Sequence, residues 1–179
     1  PVKNILVFGA TGQVALELQR FEGVTALSRA EADLSDPAAC AAIIAATDAD
    51  AVINAAAYTA VDRAEEEEAL ATVINGDAPT AMGQTCMELG IPLIHISTDY
   101  VFAGTGDAPW HPDDPTAPQN AYGRSKLAGE IGIRNSGAVH AILRTSWVVS
   151  AHGANFVKTM LRLSDTRDAL TIVADQIGG

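Results

Sequence analysis

Asn4-Ile-Leu-Val-Phe-Gly-Ala-Thr-Gly-Gln-Val-Ala15 runs from a short apolar segment, through two glycines, into a helical pattern. An apolar run of this kind reads as a strand buried on both faces. The spacing Gly9-x-x-Gly12-x-x-Ala15 directly after it predicts a tight strand-to-helix turn, with the helix beginning near Gln13. Gly9 permits the turn, Gly12 lets the backbone approach a pyrophosphate, and small Ala15 lets the helix lie close on the strand. Thr11 sits inside the turn, and the free N–H groups near Gln13 and Val14 would face the phosphates of a dinucleotide.

Further strands are predicted at Val24–Leu27, Ala51–Asn54, Leu93–Ile96, Ala141–Leu143 and Leu170–Val173, with alanine-rich helices between most of them. That alternation is the βαβ signature of a parallel sheet, so the expected fold is α/β, Rossmann-like and doubly wound, with helices on both faces. The 179 residues suit a single domain, 1–179. Helix starts are expected at Asp36-Pro37 and at Asp62, with Glu65 to Glu68 as a solvated first turn. Gly76 and Pro79 predict, by propensity alone, a helix break near Asp77. A loop rich in proline and acid, Gly104 to Pro118, is long enough to border a site. The chain ends on Gly178-Gly179 without a closing element and reads as truncated.

With 22 acidic against 11 basic residues, the formal charge of −11 argues against a nucleic acid polymer or an anionic membrane as partner. No apolar run approaches the ~20 residues needed to span a bilayer, and the first residues open straight into a strand, so the expected location is cytoplasmic. Cys40 and Cys86 lack ligand spacing, and His95, His111, His140 and His152 are scattered; no metal site is expected, and the histidines read as structural or solvent-facing.

At the end of the second strand, where a dinucleotide-binding fold often places a carboxylate for the ribose, stand Ser28 and Arg29. A hydroxyl and a guanidinium suit a 2′-phosphate, which favours NADPH, with NADH compatible because Glu31 is near. Asp33 and Leu34 would meet the adenine, and Ala55, Ala56, Ala57 and Tyr58, past the end of another strand, would wall the same groove. Tyr122 and Lys126 lie one helical turn apart. A phenol with an ammonium beside it can donate a proton to a developing alkoxide, the charge lowering a pKa that is otherwise about 10. Thr98, at the carboxyl end of a parallel strand, would orient the carbonyl oxygen.

These residues together resemble the extended short-chain dehydrogenase/reductase superfamily. Within it, Asn54 to Asp62, Ser97-Thr-Asp-Tyr-Val-Phe102, Tyr122 to Glu130, Arg144 to Val148 and Asp175 to Gly178 are similar to the dTDP-4-dehydrorhamnose reductase family. The resemblance implies hydride transfer from NADPH or NADH to C4 of dTDP-4-dehydro-β-L-rhamnose, a nucleotide-sugar substrate. It also implies sugar contacts from Asp99, Tyr100 and Trp147, one long helix over Asn75 to Leu89, and a smaller C-terminal substrate lobe that this chain largely lacks. A 4,6-dehydratase of the superfamily would carry Glu after Asp99, where Tyr100 stands here. A 4-epimerase, another 4-keto reductase and a non-catalytic cofactor-binding subunit remain as alternatives. A homodimer and a magnesium requirement are both compatible with the sequence, which encodes neither legibly.

Overall fold

The structure, a computed structural model, describes residues 3–175. The tail of the Asp175–Gly178 motif, from residue 176 on, therefore lies outside the described residues. Five parallel strands, β1 (Ile5–Phe8), β2 (Val24–Leu27), β3 (Ala51–Asn54), β4 (Leu93–Thr98) and β5 (His140–Thr145), form one sheet in the order β2-β1-β3-β4-β5. Order reverses between β1 and β3, so the crevice at their carboxyl ends is where ligands of open α/β sheets bind. The helices are α1 (Gln13–Leu18), α2 (Pro37–Ala45), α3 (Val61–Ala64), α4 (Glu68–Thr72), α5 (Ala78–Leu89), α6 (Ala121–Ser136) and α7 (Phe156–Ser164).

Alternation along the strands sorts the core. Leu6, Phe8, Val52 and Leu93 face one side with Cys40 and Ile44 of α2, Met82 and Cys86 of α5 and Ile133 of α6. Val7 and Ile53 face the other with Ala15 and Leu18 of α1. The sheet is thus Rossmann-like, with helices on both faces. Asp36 caps α2 by accepting from the Ala39 N–H at 3.0 Å, with Pro37 following as expected. No helix among the described residues is long and apolar enough to cross a membrane.

Three local expectations are corrected. Leu170–Val173 forms no strand: it joins no ladder, and Ile172 and Val173 are exposed. A short extended segment has no strand without a partner to take its backbone hydrogen bonds. Asp62 does not open its helix; α3 starts at Val61 after Ala60, and Asp62 lies inside the first turn. Glu65 and Glu66 are exposed as expected, but Glu65 to Glu68 does not form a first helical turn. The chain bends at Glu65–Glu67, Glu65 accepts from the Ala121 N–H at 2.7 Å, and Glu68 grips the Arg124 guanidinium at 2.7 and 2.9 Å. These carboxylates fasten the first turn of α6.

The break expected near Asp77 is absent as well. A π-helical turn, Val73–Asp77, joins α4 to α5 with right-handed helical backbone through Thr72, Asp77 and Ala78. The wide turn accommodates Pro79, which has no N–H to give. It also brings backbone against α6: a side chain at Gly129 would collide with the Asn75 carbonyl, and one at Gly76 would press on Ala128. The helix path expected from the resemblance is therefore continuous, with one widened turn.

Candidate active site

Two clefts open at the carboxyl ends of the strands. The first, about 500 Å³, is lined by Gly9, Thr11, Gly12, Arg29, Asp33, Leu34, Ala55, Ala56, Ala57, Tyr58, Tyr122 and Lys126, among others. Gly9 has φ +101° and packs against the Ala55 backbone, so a side chain there would be strained and would crowd the floor of the turn. The second, about 590 Å³, contains Thr98, Asp99, Tyr100, Tyr122 and Trp147, with Phe102, Gln119, Asn120 and Asp175. Of the acidic loop only its first residue, Gly104, lines it, with Ala103 before the loop and Gln119 and Asn120 just after it. Tyr122 belongs to both walls.

Gln13, Val14 and Ser28 fall outside both clefts. The phosphate contact expected of Gln13 and Val14 is through their backbone N–H groups, which stand in the first turn of α1 after Gly12, while the Gln13 side-chain oxygen accepts from Ser150 Oγ at 2.9 Å and Asn155 Nδ2 at 3.0 Å, tying α1 to the segment after β5. Ser28 spends its N–H and its hydroxyl on the Glu31 carboxylate, at 2.8 and 2.6 Å. Arg29 remains on the cleft rim, with its side chain 79% exposed and Nε 3.3 Å from Asp33.

α6 places Tyr122. Asn120 caps the helix by accepting from the Gly123 N–H at 2.7 Å, and a side chain at Gly123 would run into the Tyr100 carbonyl. That closeness sets Tyr100 edge-on to the Tyr122 ring, with centroids 5.8 Å apart. Burial pushes the Tyr122 phenol up; a hydrogen bond with Thr98 pulls the other way, while Asp99 and Tyr100 add to the rise. The Thr98 hydroxyl itself bonds Asp99 Oδ1 at 3.1 Å and accepts from the Tyr100 N–H at 3.2 Å. Trp147 holds a left-handed backbone, φ +53°, and is half exposed against the edge of Phe156.

Lys126 lines the first cleft with Tyr122, and its amine bonds away from the phenol. The residue is 1% exposed, and its Nζ donates to the Ile96 carbonyl at 2.7 Å and stands 3.3 Å from His95 Nε2. Burial pushes its pKa down to about 8, against the pull of the Glu130 charge. The phenol therefore sits above, not below, its ordinary value, because desolvation outweighs the other influences on it.

Three groups to which the sequence reading gave no part in the site support these residues. Asn75, on the π turn, accepts from the Tyr58 N–H at 2.8 Å and donates to the Tyr58 carbonyl and to Ser125 Oγ, each at 3.0 Å. Glu130, without solvent exposure, accepts from Ser97 Oγ at 2.7 Å and from Arg144 at 2.9 and 2.7 Å. His95 lies beneath Lys126. Each is a polar residue at an otherwise apolar position of a strand or helix, which is the only signal that could have marked it. Cys40 and Cys86 are buried, and burial pushes both thiols up to about 11, leaving them chemically quiet.

Residues 3–179 match the family described as RmlD substrate binding domain. A dTDP-4-dehydrorhamnose reductase of Burkholderia thailandensis is 48% identical over 98% of this chain and 60% of its own length. Its counterpart in Salmonella typhimurium is 45% identical over 98% and 61%. The chain thus spans about 60% of the length of the curated relatives it matches. Among solved structures, the dTDP-4-dehydrorhamnose reductase of Bacillus anthracis in complex with NADP superposes with a TM-score of 0.93 at 34% identity, covering 98% of this chain and 64% of that one. The Clostridium acetobutylicum enzyme gives 0.91 at 36%, covering 97% and 63%. The chain belongs to the RmlD substrate binding domain family.

Proposed function

We propose that this chain carries the cofactor-binding and proton-donating part of a dTDP-4-dehydrorhamnose reductase, which reduces the C4 keto group of dTDP-4-dehydro-β-L-rhamnose to dTDP-L-rhamnose. The observation that carries the reading is Tyr122 on the wall common to both clefts. A proton donor for a carbonyl must reach substrate while the reductant lies alongside, and only a shared wall allows both. The names of the relatives and the NADP complex of the Bacillus anthracis enzyme support the same assignment.

The first cleft fits a nicotinamide dinucleotide. Its floor is a glycine turn that packs tightly on the Ala55 backbone with Gly9 at positive φ, and its far rim carries Arg29. Arg29 suits the 2′-phosphate of NADPH, while the Glu31 carboxylate held at the end of β2 by Ser28 suits a free ribose hydroxyl, so NADH is accepted too. When bound, the cofactor supplies hydride. Thr98 and Tyr122 hold the carbonyl oxygen by hydrogen bonds, and Tyr122 gives it the proton. Asp99, Tyr100 and Trp147 line the sugar side. The raised pKa of the phenol keeps it protonated, hence a donor, throughout the neutral range.

The test is NADPH oxidation by the whole protein supplied with dTDP-4-dehydro-6-deoxy-D-glucose, with and without a 3,5-epimerase. Turnover that needs the epimerase and falls about 10²–10⁴-fold in Tyr122→Phe supports the reading. Turnover without the epimerase assigns another 4-keto sugar, and cofactor binding with no turnover in either case assigns a non-catalytic role.

A further inference from the structure

The Asn54, His95 and Lys126 side chains form a hydrogen-bonded chain whose direction is set at one end. The backbone N–H of Ala56 can only donate, and the Asn54 atom it meets at 3.2 Å is therefore the amide oxygen. That leaves the Asn54 NH₂ facing His95 Nδ1 at 3.1 Å, so Nδ1 must be the acceptor. A neutral imidazole that accepts at Nδ1 carries its proton on Nε2, and Nε2 faces Lys126 Nζ at 3.3 Å. An ammonium has no lone pair to accept that proton; a neutral amine has one, and can still donate to the Ile96 carbonyl at 2.7 Å.

We propose that His95 is a positioning residue that couples the ionisation of Lys126 to its own tautomer, the Asn54 orientation that bonds Ala56 being the one that goes with the neutral amine, on the alkaline side of the lysine transition. When Lys126 takes up a proton the chain must reverse: Nε2 becomes the acceptor, Nδ1 carries the hydrogen, and the Asn54 amide turns over at the expense of its bond to Ala56.

The surroundings favour this coupling over simple protonation of the histidine. His95 and Asn54 have 0% and 1% exposure. Burial, with the Lys126 charge adding, holds His95 well below the usual imidazole range, so it stays neutral. The ionisable groups around Lys126 are His95 from β4, Tyr122 and Glu130 from α6 itself, and Asp99 beyond Tyr122. Glu130 is the carboxylate whose charge acts on the amine, and it is engaged by Arg134 and by Arg144 from β5. Asn75 and Asn54, from the π turn and β3, are uncharged. The consequence for catalysis rests on the proposed reductase reading: an amine one turn from Tyr122 supplies no positive charge to a departing phenolic proton until the chain reverses. The coupling itself does not depend on that reading.

Nitrogen-15 spectra of the histidine-labelled chain test it directly, with the His95 signals assigned by their loss in His95→Gln. On the alkaline side of the lysine transition, Nδ1 should be the bare nitrogen and Nε2 the protonated one, and the two should exchange roles as pH falls through that transition. One tautomer throughout, or a His95 that becomes doubly protonated, overturns the proposal. Asn54→Asp offers a carboxylate that can only accept, and should fix the Nδ1–H tautomer at every pH while raising the lysine transition by about one pH unit or more. An unmoved transition there also overturns it. Coupling in a whole protein that reduces no sugar would defeat the reductase reading and keep this inference; turnover by the whole protein with an uncoupled His95 would do the reverse.

Discussion

Arg144 grips the buried carboxylate of Glu130 with two nitrogens, Nε at 2.9 Å and Nη2 at 2.7 Å, and in doing so joins β5 to α6 beneath the second cleft. Its guanidinium also lies 4.7 Å above the Phe102 ring, which stacks on Trp110, and Nη1 donates to the Pro112 carbonyl. One side chain thus anchors strand, helix and acidic loop together. Arg144→Met keeps the volume and removes the charge, leaving Glu130 with Ser97 and Arg134. Breaking one side of a buried pair is expected to cost about 3–5 kcal/mol, read as a lower urea midpoint with the slope unchanged. A loss below about 1 kcal/mol would show that the pair is not buried as described.

The same carboxylate sets an acid limit. Burial alone would raise the Glu130 pKa, but hydrogen bonds from Arg144 and Ser97, with the charges of Arg144 and Arg134, outweigh it and hold the group below its ordinary 4.5. A depressed folded value means the stabilisation is complete above about pH 4.5 and is lost as pH falls through the lower folded value. Urea midpoints measured on the acid side should therefore fall less steeply with pH in Glu130→Gln than in the unsubstituted chain. Equal slopes would remove Glu130 from the acid transition.

Glycines separate close packing from backbone conformation. At Gly129 a methyl group would enter the Asn75 carbonyl across the contact between α6 and the π turn, and backbone cannot swing aside as a flexible side chain would. Gly129→Ala is expected to cost about 2 kcal/mol or more by overpacking. Gly90, with φ +69° and open space around it, should lose only about 1 kcal/mol as alanine, from left-handed strain alone. Thermal melts of the two variants side by side would show the order; a reversal would place the tight contact elsewhere.

The legible part of this molecule was what depends on local pattern. Ile5–Phe8 with Gly9 and Gly12 announces a strand and a turn because the apolar run and the glycines act within a few residues of each other. Tyr122 and Thr98 were legible for the same reason, as a helix face and a strand end. What was not legible depended on partners distant in sequence. Lys126 is one turn from Tyr122, but a four-carbon side chain goes where an acceptor waits, and the Ile96 carbonyl is on β4. Glu65 to Glu68 looked like a first turn until α6 brought the Ala121 N–H to Glu65. Leu170–Val173 had the composition of a strand but pairs with neither edge of the sheet, β2 or β5.

Asn75 links the helix path to the first cleft, since it holds both the N–H and the carbonyl of Tyr58 and also Ser125 on α6. Asn75→Ala removes all three bonds and leaves the half-buried backbone N–H and carbonyl of Tyr58 without them, while the Ser125 hydroxyl keeps the Tyr122 carbonyl, at about 1–3 kcal/mol in stability. On the proposed reading, Tyr58 walls the cofactor groove, so NADPH affinity should weaken several-fold while the substitution leaves Tyr122 and Thr98 untouched. Titration of NADPH fluorescence measures it. Unchanged affinity in a destabilised variant would make Asn75 purely a fastening of the π turn.

Lys126 gives the alkaline counterpart. Its folded pKa of about 8 lies below the ordinary 10.5, so between these values the unfolded chain holds a proton that the folded chain has released. Stability must then rise with pH across that interval, by at most about 1.4 kcal/mol per pH unit for one proton. Below about pH 8 the folded chain carries the whole cost of a buried ammonium. The phenol of Tyr122 works in the opposite sense: raised above its ordinary 10.0 by burial, it lowers stability once the unfolded tyrosine ionises. The gain should therefore be visible from about pH 8 to about pH 10 and fade beyond. Lys126→Met removes the titrating group while keeping most of the stem, and its stability should be flat over that interval and higher than the unsubstituted chain at pH 7. Parallel curves for the two chains would mean that Lys126 ionises in the folded state as it does in water, and that the buried partners described for it do not govern its proton.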